Sequence, residues 1–180
     1  MTDQTHVRQL AAFAVRCREA GLPEHVADDV VGRVLDVLGN ALAGRAESAG
    51  PADPDQAVLR AVSAWGGAPE SGVIGSDEQL PAPNAALVNG TLAHALDFDD
   101  THLPSVLHPS ACVVPAALAA AEATGATGPA LLAAVAVAVA QRIDAAAVFL
   151  LVEALALADL DHAGRAAALA PVVVPVDEVV

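Results

Sequence analysis

The chain has 180 residues, 55% of them hydrophobic, with eight arginines, no lysine and 22 acidic residues, for a net charge of −14. Such a length suits one domain, or one with a small appendage, with ample apolar material for a core. The acidic balance and the lack of a basic stripe argue against nucleic acid and anionic membrane surfaces as partners.

Alanine and leucine dominate and aromatics make up only 2%, which favours helix over strand. The expected fold class is all-α, an antiparallel helical bundle. A first helix is predicted over 5–20, with Val7, Leu10, Ala11, Ala14 and Val15 on one face and a stop at Gly21 and Pro23. A second runs from about Pro23 to Ala43, with Asp28 and Asp29 in its early turns and Gly44 as its C-terminal stop. The polar stretch 46–55 reads as a loop. Ala57–Trp65 is a short third helix, with Trp65 as a core or edge anchor. The turn-rich stretch 66–83 holds one extended candidate, Gly72-Val73-Ile74-Gly75. Asn84 is the predicted N-cap of a helix to Leu96. Two more helices come next, Ala111–Thr124 and Pro129–Gln141, the second opened by Thr127-Gly128-Pro129.

After Arg142, itself read as a helix C-terminal cation, comes an Ala/Leu-rich stretch over 145–170 and a β-branched tail, Pro171–Val180. The apolar stretch from Pro129 to Leu160 is broken by Gln141, Arg142, Asp144 and Glu153. It therefore falls short of the roughly 18 uncharged residues of a membrane span. The N-terminus has no basic segment followed by an apolar run, so a cytoplasmic protein without signal peptide is expected. Cys17 and Cys112 form neither a disulfide framework nor a zinc spacing. Two thiols are too few for an iron–sulfur cluster, and both are expected to be small buried hydrophobes. His6, His25 and His162 are expected at the surface.

The chemistry concentrates in 89–110, NGTLAHALDFDDTHLPSVLHPS. This stretch holds three His, three Asp, two Thr and two Ser in 22 residues. Titratable groups on a loop between apolar helices are what an active site requires. Four readings stand on the residues alone. One is acid–base catalysis on a small polar substrate. Another is a metal site, Asp and His being common ligands, although no HxxxH or HxH spacing is present. A third is a turn and capping cluster in which Asp99, Asp100 and Thr101 make turns and Ser110 caps the next helix. The last is a solvated acidic loop.

That stretch resembles the signature of the MmgE/PrpD family. Leu22-Pro23, Leu35-Asp36-Val37-Leu38-Gly39 and Ala43-Gly44 resemble the family's first long helix, and Val73-Ile74-Gly75 the segment before its signature helix. Pro115–Glu122, Gly125, Gly128, Leu131 and Leu132 resemble the family's continuation beyond the signature, so the likeness covers 8–142. It implies a family-like helical domain over 1–142 and a divergent segment over 143–180. Members act on small di- or tricarboxylic acids of the 2-methylcitrate or cis-aconitate type, by dehydration, decarboxylation or epimerisation. They work as homodimers, without a metal or organic cofactor.

The matching positions imply a pocket lined by Asp97, Thr101 and His108, with Asp100 and His102 beside them. The resemblance gives His108 and Asp97 the catalytic parts. His108 would exchange protons near neutrality. Asp97 would hold a substrate hydroxyl or fix the histidine tautomer. Thr101, His102 and Asp100 would bind substrate. The family also supplies a lysine and a further histidine later in its helical domain, and an α+β lid. This chain contains no lysine, and the segment after Arg142 lacks the expected motif. The expectation is therefore a truncated lyase or hydratase with part of a site. The alternative is a catalytically inactive helical module that pairs with itself or with a full-length relative, motivated by the apolar run from 129 to 158.

Overall fold

Alanine, valine and leucine at helical spacing fold into six helices in a computed structural model of the protein, which describes residues 6–103 and 106–141. These are α1 (His6–Ala20), α2 (Glu24–Glu47), α3 (Pro54–Trp65), α4 (Ala82–His94), α5 (Pro109–Thr124) and α6 (Gly128–Gln141). A two-residue antiparallel ladder, β1 (Ser71–Gly72) with β2 (Gln79–Leu80), sits before α4, with Ser71 opposite Leu80. The all-α class expected from composition is what the chain adopts.

Several element ends differ from their sequence signals, each for a packing reason. Helix α2 does not stop at Gly44 but continues a turn further, to Glu47. A β-carbon at Gly44 would lie 2.5 Å from the Leu92 carbonyl oxygen and 3.1 Å from Ala95 Cβ. The glycine is there for close approach of α2 to the end of α4, not for a left-handed cap. Helix α4 starts at Ala82 behind Pro81, and Asn84 does not cap it. The Asn84 Nδ2 instead donates to the Val62 carbonyl of α3 at 3.4 Å. Helix α3 starts at Pro54, with Asp53 folding the preceding loop by accepting from Ala49 and Gly50 N–H at 2.7 and 2.8 Å. Of the predicted extended piece, Gly72 to Gly75, only Gly72 lies in a strand, β1 being Ser71–Gly72. Gly75, at φ +73°, turns the chain back towards β2.

The core is built from small residues. Val37, Ala41, Val62, Ala85, Val88, Leu92, Val114, Ala117, Ala134 and Val135 are fully or almost fully buried. The α4–α5 contact is the most extensive, followed by α2 on α4. Pro115 lies inside α5 and has no N–H for the Ala111 carbonyl. That carbonyl faces Gly90 of α4, where an added β-carbon would come within 3.1 Å of it. Asn89 is buried and ties the ladder to α4: its Oδ1 accepts from Ile74 N–H at 2.9 Å and its Nδ2 donates to the Gly72 carbonyl at 3.0 Å.

Helix α6 buries Ala130, Ala133, Ala134, Val135, Val137 and Ala138 against α1, α2 and α5. This part of the apolar run is core; the rest, from 142 on, lies outside the described residues. Among the described residues no helix is long and apolar enough to cross a membrane. Trp65 is not a core anchor, being 70% exposed at the end of α3. Neither cysteine is a buried hydrophobe: Cys17 is half-buried and Cys112 reaches the surface. His25 is exposed, as expected.

The packing of α2 and the start of α3 sets two expectations for stability. Gly44→Ala should cost about 1–3 kcal/mol by overpacking the α2–α4 contact. Gly39→Ala, in the same helix with nothing within 4 Å of the added carbon, should be neutral or stabilising by up to ~1 kcal/mol. Urea unfolding separates them, and equal effects would refute the close-approach account. The buried Asp55 accepts from Ser48 Oγ and Gln56 Nε2, both at 2.9 Å, and pairs with Arg45 Nη1 at 3.4 Å. Burial alone would raise its carboxyl, but these partners outweigh burial and hold it below the ordinary carboxylate value. Its contribution is then fully present above the unfolded pKa of about 3.9 and is lost as pH falls through the lower folded value. Asp55→Asn should lower the melting temperature at pH 7 and flatten its decline in acid.

Candidate functional site

Helix α4 ends at His94, α5 begins at Pro109, and the loop between them carries the acidic signature. Asp97 opens the loop at φ +57°, a left-handed conformation that aspartate tolerates better than most residues. Its N–H donates to the His94 carbonyl at 3.2 Å. Further on, His102 N–H donates to the Leu107 carbonyl at 2.8 Å, and Val106 N–H to the His102 carbonyl at 2.8 Å, closing the loop on itself. Phe98, Leu103 and Val106 point outward, each more than three-quarters exposed.

The loop's centre is Asp99, whose side chain is wholly buried. Its carboxylate oxygens lie 3.0 and 3.2 Å from His94 Nδ1. One of them is also 3.4 Å from His108 Nδ1. A buried carboxylate needs partners: His94, at the end of α4, hydrogen-bonds to it, while the His108 ring, at the start of α5, stands within ion-pair distance without a hydrogen bond. The two rings stand 4.9 Å apart at 59°. His108 Nε2 lies 3.7 Å from the largely exposed Asp97 Oδ1. His108 Nδ1 is itself buried and has no hydrogen-bond partner. Together His94, Asp97, Asp99 and His108 each present one donor atom within 4.8 Å of the others.

Asp100 points elsewhere and ties the loop down. Its Oδ1 accepts from Ser110 N–H at 3.0 Å, satisfying a free donor in the first turn of α5. Its Oδ2 accepts from Arg33 Nη1 of α2 at 2.5 Å. Arg33 also donates to Ser110 Oγ at 3.3 Å and, through Nε, to Asp29 at 2.7 Å. The Asp29 contact is the main reason its guanidinium is raised further above its ordinary value. Ser110 is thus buried inside α5 as an acceptor for Arg33 rather than standing as its cap, and His108 occupies the cap position. Arg33, Asp100, Thr101 and His102 line a cleft of about 300 Å³ that Val139 of α6 closes on one side.

The five residues singled out from sequence therefore divide. Asp97 and His108 join Asp99 and His94, while Asp100, Thr101 and His102 line the cleft with Arg33. Spacing did not single out three contributors. His94 and Asp99 are five residues apart in the same stretch, but nothing in spacing shows which aspartate turns inward. Arg33 is 67 residues from Asp100 and left no local signal.

The model of the MmgE/PrpD N-terminal domain matches residues 8–170. The chain belongs to the MmgE/PrpD family. Over 47 residues it is 51% identical to the cis-aconitate decarboxylase of Homo sapiens and 49% identical to that of Mus musculus. Those segments are 26% of this chain and 10% and 9% of the two relatives, so the chain matches about a tenth of their length. No solved structure matches it.

Within this MmgE/PrpD chain, Cys112 reports on Asp99. Partial burial first, and the Asp99 charge second, push its thiol up from the ordinary value. In a Cys17→Ser background, iodoacetamide should alkylate Cys112 with a pH midpoint above that of an unperturbed thiol. Asp99→Asn should bring the midpoint part of the way back, burial being the larger cause. A midpoint at the ordinary value in the parent would refute the partial burial of Cys112, and one unmoved by Asp99→Asn would refute the placement of Asp99 beside it.

Proposed function

We propose that this chain is a MmgE/PrpD-type lyase or hydratase domain acting on small di- or tricarboxylic acids of the cis-aconitate or 2-methylcitrate type. His108 serves as the proton-exchanging group. The observation that carries this reading is His108 at the start of α5, set between Asp99 at Nδ1 and Asp97 at Nε2. A carboxylate thus stands near each ring nitrogen, which puts negative charge beside the group meant to move a proton. The likeness to two cis-aconitate decarboxylases over the 47-residue segment supports the substrate class.

The chemistry asks little beyond placed acids and bases. In a decarboxylation, the bond from carbon to a carboxylate breaks, CO₂ leaves with its carbon, and the electron pair stays behind as a carbanion. A proton delivered by a protonated imidazole quenches it. In a dehydration, a base removes the proton next to a carboxyl group and an acid protonates the departing hydroxyl. Asp97 is 78% exposed in its side chain and open to a substrate hydroxyl. Thr101, exposed at the cleft, and His102 offer hydrogen bonds, and Arg33 offers charge for a substrate carboxylate.

A second reading rests on α2, where Val31, Leu35 and Leu42 are 43–64% exposed. They make an apolar stripe on which the chain pairs with a copy of itself or with a relative, as a homodimer or as an inactive module. Sedimentation at rising concentration tests it, and a strictly monomeric chain would rule out self-pairing.

The leading reading is tested by isothermal titration with cis-aconitate and 2-methylcitrate, together with turnover assays for CO₂ release and dehydration. Saturable binding is expected, weakened at least tenfold in His108→Ala. A well-folded chain that binds neither acid and turns over neither would overturn it.

A further inference from the structure

We infer that His94, Asp97, Asp99 and His108 form a binding site for a divalent transition-metal ion of the zinc class, and that its occupancy takes His108 out of proton exchange. These residues belong to the candidate site. Cation binding by them stands without the proposed activity, whereas the regulatory effect rests on that activity.

The donor set suits such an ion: two imidazole nitrogens and two carboxylates, each offering one atom within 4.8 Å of the rest. A tetrahedral ion with bonds of about 2.1 Å to nitrogen and oxygen needs ligand atoms roughly 3.4 Å apart. Separations of this order run from Asp99 to each imidazole, 3.0 Å from His94 Nδ1 to Asp99 Oδ1 and 3.4 Å from His108 Nδ1 to Asp99 Oδ2, whereas the 3.7 Å contact of Asp97 Oδ1 is to the other nitrogen of the His108 ring. With one atom from each residue the set spans up to 4.8 Å, so the outer ligands must draw in to complete a shell.

A second observation points the same way. His108 Nδ1 is buried and no protein group hydrogen-bonds to it. A buried nitrogen without a partner is costly, and a cation seated against Asp99 would take its lone pair. Asp99 is wholly buried beside it, so one carboxylate of the set is already out of water. His94 and Asp97 are mostly exposed, which leaves a path for the ion from solvent. The rest of the chain supplies a negative field, with a net charge of −14.

Binding by imidazole nitrogen requires the neutral ring, so metal uptake competes with protons. An imidazole whose lone pair is held by a metal no longer accepts a substrate proton. A site shared by ion and base therefore acts as a brake on the proposed chemistry.

The test is titration of the metal-free chain with zinc chloride by calorimetry, with cobalt(II) as an optical probe. One ion per chain is expected, with cobalt absorption typical of a four-coordinate nitrogen–oxygen site, and tighter binding at pH 7.5 than at pH 6. His94→Ala and Asp99→Asn should each weaken zinc binding at least tenfold, while His25→Ala, at an exposed remote position, should not change it. Because Asp99→Asn can unfold the loop, His94→Gln is measured beside it with circular dichroism as a check of folding.

No saturable zinc binding by the folded chain, or binding that survives unchanged in the folded His94 variants, overturns the site. Cis-aconitate binding in chelator is measured separately. If it persists while zinc fails to bind, the site is wrong and the proposed function stands. If zinc binds and cis-aconitate does not, the site stands and the function falls. Zinc that binds without weakening cis-aconitate turnover refutes the brake.

Discussion

The close approach of α4 to α5 governs what the rest of the molecule can do. Pro115 leaves the Ala111 carbonyl without its helical donor, and Gly90 lets the facing helix come near that carbonyl. Apart from Leu92, the buried side chains of these two helices are small, which suits a close approach. The end of one therefore lies beside the start of the other, so His94 and His108 come within ring contact although the loop between them is long and polar. Gly44 does the same on the other side of α4, where α2 presses against the Leu92 carbonyl. The aromatic poverty of the sequence is thus not a lack of core material but a consequence of how near these helices must come.

Two aspartates one residue apart then divide the work of holding the loop. Asp99 turns inward between the imidazoles. Asp100 turns to α2, where Arg33 reaches it together with Ser110. A buried carboxylate costs several kcal/mol unless it is paired, so the histidines at Asp99 are part of the fold as well as of the chemistry. The Arg33 link is half-buried on both sides and ties α2, the loop and α5 into one unit. The loop's apolar side chains Phe98, Leu103 and Val106, left outside, show that this clamp is polar and not a hydrophobic staple.

Much of this was legible in the sequence, and the part that was not has a physical character. Helices α1 to α6 could be placed because apolar residues recur at helical spacing, and the reactive loop because titratable residues crowd into it. Their ends misled, since Gly44 and Asn84 carry signals of caps and serve contacts with other helices instead. Trp65 and Cys112 misled because burial habit is an average over proteins. The split of the site was hidden for a different reason. Whether Asp97, Asp99 or Asp100 turns inward depends on which neighbour the fold brings, and Arg33 arrives from another helix. Local spacing carries no record of such encounters.

Charge is where these strands meet. On the proposed function, an acid with two or three carboxylates would approach a chain with no lysine, and at the cleft it would meet Arg33, already held by Asp29 and Asp100. For a substrate carboxylate to take Arg33, it must displace a carboxylate of the protein, so the gain is an exchange of partners rather than a new ion pair. Asp100 could give up Arg33 and still cap α5 through its bond to Ser110 N–H. That bond keeps the loop anchored while the guanidinium turns to a ligand. The arrangement thus separates the group that fixes the loop from the group that can change partner. Affinity for a carboxylate in this cleft is then set by the difference between two similar ion pairs, which favours modest binding.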